Sequence, residues 1–334
     1  MSSFIYDVTG IGNAIVDVLA QVDDHFLEKH HLIKGSMSLI DQAKAQRIYD
    51  DMPPALQVSG GSAANTIAGI ASLGGKTAFI GKVHQDTVGT IFTQDIQAIG
   101  VEYRTEPTHS GPETARSFVA ITPDAERTMA TYLGAAKHMT LADMDAQLIS
   151  KSRVIYLEGY LWDEPMAKAS MRRAMEIAAS SGTKVAFSLS DLFCVERHRT
   201  EFLALLNEHV DILCANEAEI KALFEADDLA QVLPQIQGKC EIAAITLGHR
   251  GSLILADKTY VIPPRSDRAV VDTTGAGDLY ASGLLYGYVR GMSPQAFGEL
   301  GSLVSSEIIS HIGARPHTNL SILAQKEGFL EQAA

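Results

Sequence analysis

The chain has 334 residues, a formal net charge of −13 and a hydrophobic content of 46%, enough to bury a large core in one big domain with a small appendage. The acidity argues against a nucleic-acid backbone as partner, because a phosphate groove needs clustered Lys and Arg and no long basic run occurs. No uncharged apolar run is long enough to span a bilayer, so a membrane partner is not expected either.

In chain order, Phe4–Ile11 reads as a first strand, and Gly10-Ile11-Gly12-Asn13 turns. Residues 14–22 alternate with period two: Ala14, Val16, Val18, Ala20 and Val22 on one face, Ile15, Asp17, Leu19 and Gln21 on the other. That pattern predicts a half-exposed strand covering a cleft. A short helix over Asp23–His31 and a short strand over Ser36–Ile40 follow. Gly60-Gly61-Ser62-Ala63-Ala64-Asn65 opens a helix with Ser62 as expected N-cap. Next come a strand over Lys76–Ile80, a helix over Gln85–Ile99, and two β-like runs, Arg116–Thr122 and Arg127–Tyr132, joined by a turn at Pro123–Glu126. These runs and residues 14–40 are expected to form a second, smaller sheet.

The remainder alternates strand and helix. Strands are predicted at 154–157, 184–189, 212–215, 242–246 and 252–256, helices at 165–181, 199–209, 217–224, 229–238 and 294–313. This predicts a parallel sheet covered on both faces. Cys194, Cys214 and Cys240 are few, odd in number and lack zinc spacing, and Met1–Gly12 shows no basic-then-apolar leader. Together they predict a cytoplasmic protein with reduced thiols.

Four features carry chemistry. In Val271–Gly283 the hydrophobic run Ala269-Val270-Val271 leads into Asp272-Thr273-Thr274-Gly275-Ala276-Gly277-Asp278 and then an apolar run from Leu279 to Val289. This predicts strand, glycine turn and helix. Backbone N–H groups of Gly275, Ala276, Gly277 and Asp278 can hold one anion, aided by the helix N-terminus. Asp278 beside that hole can act as general base toward a hydroxyl. An ordinary strand-to-helix turn fits the same spacing. Asn13, Asp17 and Asn65 lie near glycine turns and suit vicinal hydroxyls, although each also suits a turn or cap. Asn216-Glu217-Ala218-Glu219 follows a strand end, where Glu219 can hold Mg²⁺ through water, or simply decorate a helix start. Thr246-Leu247-Gly248-His249-Arg250-Gly251 suits nucleotide phosphates or a tight turn.

Taken together, Gly60–Asn65 with Gly74 and Gly81, and Asp272–Asp278 with Ser282-Gly283, resemble the signatures of the ribokinase-like (PfkB) family of carbohydrate and nucleoside kinases. The order and spacing of Asn216–Glu219 and Thr246–Gly251 extend the resemblance over nearly the whole chain. It implies a three-layer α/β/α domain with a mostly parallel central sheet and a β-sheet lid, here residues 14–40 and 101–135 of a single 1–334 unit. Within the family, Gly12–Asp17, Arg127–Ala136 and Gly159-Tyr160 resemble the adenosine-phosphorylating branch.

By that likeness Asp278 is the base, with Gly275, Ala276 and Gly277 as the anion hole and Arg127 reaching the transferring phosphate. Asp17, Gly61 and Asn65 hold the ribose, Asn13 and Ser62 complete the substrate-binding set, and Ile15, Leu39, Met129, Leu133 and Tyr160 enclose the base. Asn216, Thr246, Gly248 and Gly251 bind ATP, and Glu219 serves Mg²⁺. Met37 stands where a polar residue is usual near the base. His317 in Gly313–His317 stands where a Ser is common beside an activating cation, which leaves a K⁺ site open. The apolar lid residues favour a flat base over a free sugar.

The expected function is ATP-dependent phosphorylation of a nucleoside 5′-hydroxyl, adenosine first, as in purine salvage. The alternatives are a sugar kinase for ribose, fructose or a relative, and a non-catalytic nucleoside-binding protein. The alternating Val and Ala, taken as an exposed lid face, admit either a monomer or a homodimer through the lid.

Overall fold

The computed structural model describes residues 4–124, 126–265 and 267–331. Ala125 of the expected turn and Met1–Ser3 of the N-terminal stretch lie outside the described residues. The elements run β1 (Tyr6–Ile11), β2 (Ile15–Gln21), α1 (Asp24–Lys29), β3 (Met37–Leu39), α2 (Gln42–Asp51), β4 (Leu56–Gly60), α3 (Ser62–Ser72), β5 (Thr77–Ile80), α4 (Thr87–Ala98) and β6 (Glu102–Tyr103). They continue with β7 (Ala115–Ile121), β8 (Arg127–Tyr132), α5 (Ala146–Ser150), β9 (Ser152–Glu158), α6 (Pro165–Ser181), β10 (Lys184–Ser188), α7 (Leu192–Glu208), β11 (Ile212–Asn216), α8 (Glu217–Phe224) and α9 (Leu229–Ile236). The last are β12 (Ile242–Thr246), β13 (Ser252–Leu255), β14 (Thr259–Ile262), α10 (Ala276–Val289), α11 (Pro294–Ile308) and α12 (Leu320–Lys326).

Local chemistry explains the boundaries. Asp86 caps α4 by accepting from Gly89 N at 2.7 Å, and Asp191 caps α7 by accepting from Cys194 N at 2.6 Å. Pro165 opens α6, and Gly182, at φ 76°, closes it. The helix predicted from Arg199 starts earlier, at Leu192, and is bent at His198, whose φ of −121° is not helical.

A nine-stranded sheet has the order β14-β13-β12-β11-β10-β9-β1-β5-β6. Its pairs are parallel from β6 through β12, and only β13 and β14 are antiparallel. Two apolar cores flank it. Val8, Phe79, Ile67, Leu279 and Leu300 belong to the one shared with α3, α10 and α11; Ile11, Leu157, Phe187, Met171 and Phe202 belong to the one shared with α6 and α7. The architecture is three-layer α/β/α, with a mostly parallel central sheet and a smaller second sheet.

The small sheet has the order β3-β8-β7-β2-β4. It draws on β4, which lies outside the range 14–40, while the segment after Val101 contributes β6 to the large sheet instead. The face carrying Val16, Val18, Ala20 and Val22 is not exposed. These side chains are at most 8% accessible, in one core with Phe26 and Leu27 of α1 and Ala45 and Ile48 of α2. Helix α2 was not expected, and its Ala45 and Ile48 help cover this face.

Two expectations about strands and caps fail. Residues 269–271 form no strand. Val270 and Val271 are 65% and 45% exposed, the sheet edge is taken by β14, and the N–H groups of Val271 and Asp272 both donate to Ile309 O. Ser62 is not the N-cap of α3. Gly61 holds that place at φ 98°, where an added Cβ would run into Asn13 O.

Candidate active site

The site gathers where β1, β4 and β9 end, where α3 and α10 begin, and beneath the inner face of the small sheet. Gly275, at φ 76°, turns the chain into α10 and makes Asp278 its third residue. Ser62, in the first turn of α3, is thereby free to donate through Oγ to Asp278 Oδ1 at 2.6 Å. One turn on, Asn65 Nδ2 donates to Asp278 Oδ2 at 3.0 Å. Burial raises the Asp278 pKa, and the bonds from Ser62 and Asn65 and the charge of Arg315 oppose that rise. Asn65 is buried, and its Oδ1 has no partner.

The turn before α10 presents its backbone unevenly. Ala276 N donates to Thr273 O at 3.1 Å and Leu279 N to Gly275 O at 2.8 Å. Among the described residues, the N–H groups of Gly275, Gly277 and Asp278 find no protein acceptor. Three free donors at a helix start suit an anion; Ala276 is spent on the turn itself. Ala314 of the loop after α11 packs against Gly275 so closely that a Cβ there would meet it at 2.9 Å.

Asp17 extends from β2 on the inner face of the small sheet. The strand register sets Leu39, Thr131, Ser117, Asp17 and Val58 in one cross-strand row, and Met37, Met129, Val119, Leu19 and Leu56 in the next. No protein hydrogen bond to the Asp17 carboxylate is found among the described residues, and a Cβ on Gly60 would collide with it. Its pKa is pushed up to about 6, first by burial, then lowered in part by Arg315 and Arg127 and raised by Asp278. Leu39 and Met37 are exposed, and Ile15, Met129 and Leu133 are half-buried, so apolar side chains share this face with Asp17, Ser117, Thr131 and Arg127. Tyr160, in the short 3₁₀ turn after β9, donates its hydroxyl to Ser190 O at 3.2 Å.

Arg127 projects from β8 to the glycine turn. Its Nη1 lies 2.8 Å from Asp272 Oδ2 and donates to Thr274 Oγ1 at 2.9 Å, while its buried Nη2 has no partner. Small sheet and anion turn are thus joined by one ion pair, with a donor to spare.

Asn13 is turned away from the cleft. Its N–H and its Nδ2 both donate to Glu158 Oε1 at 2.7 Å, and Ala63 N donates to Glu158 Oε2 at 2.8 Å. Glu158, fully buried, clamps the β1 turn to the start of α3, and burial pushes its pKa up to about 7. Glu158 was missed in the sequence, although its place at a parallel-strand end before Gly159 was a usable signal. Arg315 was missed as well, being read only as part of a loop.

At the far end of the cleft, Asn216 and Glu219 form a capping box. Asn216 N and Nδ2 donate to the two Glu219 oxygens at 3.0 and 2.5 Å, and Asn216 Oδ1 accepts from Glu219 N at 2.9 Å. Each Glu219 oxygen keeps a further lone pair, so water-mediated contact with Mg²⁺ fits. The described residues contain no cluster of three or more metal-binding side chains. Thr246 ends β12. Gly248 and Gly251, both at positive φ, shape the next turn, and a Cβ on Gly251 would enter the backbone of Pro263 and Pro264. Arg250 pairs with Glu217 across this turn. Among the described residues no helix is long and apolar enough to cross a membrane.

Residues 53–319 match the family model described as pfkB family carbohydrate kinase. A probable sugar kinase from Rhizobium etli CFN 42 is 45% identical, covers 98% of this chain and all of its own, and superposes with a TM-score of 0.91. An adenosine kinase from Sinorhizobium meliloti is 46% identical, covers 97% of this chain and 99% of its own, with a TM-score of 0.89. Fructokinase-1 of Zea mays is 29% identical over 265 residues, 77% of this chain and 81% of its own. The chain therefore belongs to the pfkB family of carbohydrate kinases and is a phosphotransferase acting on an alcohol group.

Proposed function

We propose that the protein phosphorylates the 5′-hydroxyl of a nucleoside, adenosine first, with ATP as donor. The observation that carries this is the pairing of two carboxylates across the cleft. Asp278 is held by Ser62 and Asn65 beside three free N–H groups, and the Asp17 carboxylate stands without a protein hydrogen bond, among the described residues, on the inner sheet face. Asp17 accepts hydrogen bonds from the ribose hydroxyls, with Gly61 and Asn65 beside it and Asn13 held behind by Glu158. The base lies against Ile15, Leu39, Met129, Leu133 and Tyr160, which offer a flat ring the dispersion contact that a free sugar does not use.

The reaction follows from these positions. Asp278 takes the 5′-hydroxyl proton as the oxygen attacks the γ-phosphorus; the new O–P bond forms while the bond to the β-phosphate oxygen breaks and ADP leaves. The N–H groups of Gly275, Gly277 and Asp278, with the spare Nη2 of Arg127, hold charge on the transferring group. Asn216, Thr246, Gly248 and Gly251 border the place for the nucleotide. Glu219 would hold Mg²⁺ through water, and the ion would supply neutralisation of phosphate charge. The small sheet keeps water from the reacting phosphate.

A second reading, a kinase of free sugars, is favoured by the likeness to the probable sugar kinase. One measurement separates the two: ADP release with Mg²⁺ and K⁺ against a panel of nucleosides and of free ribose and fructose. Turnover with adenosine is expected to exceed that with either sugar, and turnover confined to free sugars would sink the nucleoside reading. Nucleoside binding without ADP release would point to a non-catalytic binder.

A further inference from the structure

Arg315 lies in the loop between α11 and α12, far in sequence from everything it touches. Its Nε donates to Ser59 O at 2.8 Å, its Nη2 to Ser59 Oγ at 2.9 Å, and its Nη1 to Ala64 O at 2.9 Å. All three acceptors are neutral. No carboxylate lies within ion-pair distance of this guanidinium among the described residues. Arg315 is half-buried, and holding a cation out of full solvent without a contact counter-charge carries a cost, while neutral donors could bridge the same acceptors.

The surrounding charges supply a reason. Ser59 is the penultimate residue of the small-sheet strand β4, just before the Gly60–Gly61 pair, and Ala64 lies in α3 between Ser62 and Asn65. Asp95 of α4, which accepts from Ser59 N at 2.7 Å, Asp17 of β2 and Asp278 of α10 all act on the Arg315 charge, and burial draws its pKa down to about 10. From the other elements, Asp17 also faces Arg127 of β8, whose ion-pair partner is Asp272. Asp278 in turn acts on Glu158 and Tyr156 of β9 and on Tyr160.

We propose that Arg315 is a positioning residue for phosphoryl transfer, tying β4 to α3 and setting one cation against Asp17 and Asp278 so that both present acceptor oxygens to the substrate. The inference rests on the kinase reading of the site. The same three bonds fix the spacing between the strand that carries the small sheet and the helix that holds the base. Its charge favours the ionised carboxylates without bonding to either, so their lone pairs stay available.

The test compares Arg315→Met and Arg315→Lys with the wild type in kcat/KM between pH 5 and 9. Arg315→Met is expected to lose at least about threefold at pH 6, with its acid limb displaced upward by about half a unit or more and the deficit narrowing toward pH 9. Arg315→Lys keeps the charge and is expected to keep the wild-type limb. A uniform loss at every pH, with the limb of Arg315→Met unmoved, would overturn the proposal. Should Arg315→Met fail to fold, Asp95→Asn takes its place. It removes a competing carboxylate, and its limb is expected at lower pH; an unmoved limb counts against the proposal. Titration of ¹³C-labelled Asp carboxyls by NMR reads the same displacement without turnover. A wild type that makes no ADP thus defeats the kinase reading alone.

Discussion

Ser62 Oγ lies 2.6 Å from Asp278 Oδ1, across 216 residues of chain. The hydroxyl sits there because Gly61, and not Ser62, caps α3, so the first-turn side chain is released to the neighbouring helix. This bond favours the ionised carboxylate against the burial that raises its pKa. Ser62→Ala is therefore expected to move the acid limb of kcat to higher pH, with activity restored as pH rises. A pH–rate profile of the variant checks it, and an unchanged limb contradicts it.

Asp278→Asn removes the proton acceptor while keeping the shape of the site. Turnover is expected to fall by about 10²–10⁴-fold, the usual worth of a general base, with adenosine affinity nearly intact by calorimetry. A variant retaining most of its turnover would exclude Asp278 as the base.

Asp17 is pushed up to about 6 by burial. Below that pH its carboxyl is neutral and a poorer acceptor for substrate hydroxyls, so the KM for the nucleoside is expected to rise as pH falls through about 6. The change should fall on KM more than on kcat. Asp17→Asn should show a high KM with no inflection in this range, and steady-state kinetics at pH 5, 6, 7 and 8 decide it.

Glu158, with its folded pKa pushed up to about 7, sits well above an unfolded glutamate at about 4.3. The native state therefore binds this proton more tightly. The resulting stability is full below the unfolded value and is lost as pH rises through the folded one. Chemical denaturation of wild type and Glu158→Gln at pH 5 and pH 8 tests this. The variant should be destabilised by about 1–3 kcal/mol at pH 5, since an amide cannot accept all three N–H bonds. It should also lose less stability than wild type between the two pH values. Equal losses would contradict the assignment.

Arg127→Gln breaks the bond between the small sheet and Asp272. A drop in kcat larger than the rise in KM is expected, because the spare Nη2 faces charge that develops only during transfer. Steady-state kinetics reads the split, and a pure KM effect would assign Arg127 to substrate binding alone.

The parallel half of the molecule was legible because buried strands and amphipathic helices alternate: α6 and α8 fall at the ranges 165–181 and 217–224 read from the sequence. The second sheet was harder. Its strand β4 carries no regular alternation, and α2, with only Ala45 and Ile48 buried, has a thin apolar stripe. Residues 269–271 look like a strand by composition, yet their partner is a single carbonyl, Ile309 O, which no local pattern announces. The site split along the same line. Asp278, Asp17 and the glycine turn were visible from spacing. Glu158 and Arg315 act through residues about 95 and 250 positions away, and such distance leaves no periodic signal.

The order in which the chain visits its two sheets has a consequence for folding. It lays β1 in the large sheet, β2 to β4 in the small one, β5 and β6 in the large one, β7 and β8 in the small one, and then returns with β9. Strand β1 finds its neighbour β9 only after both visits to the small sheet. The small sheet is drawn from two stretches of chain inserted between strands of the large one, so the cover over the cleft is no separate segment that could be cut away. Such long-range pairing makes for slow assembly, and melting should proceed in one cooperative step in which cleft and cover vanish together.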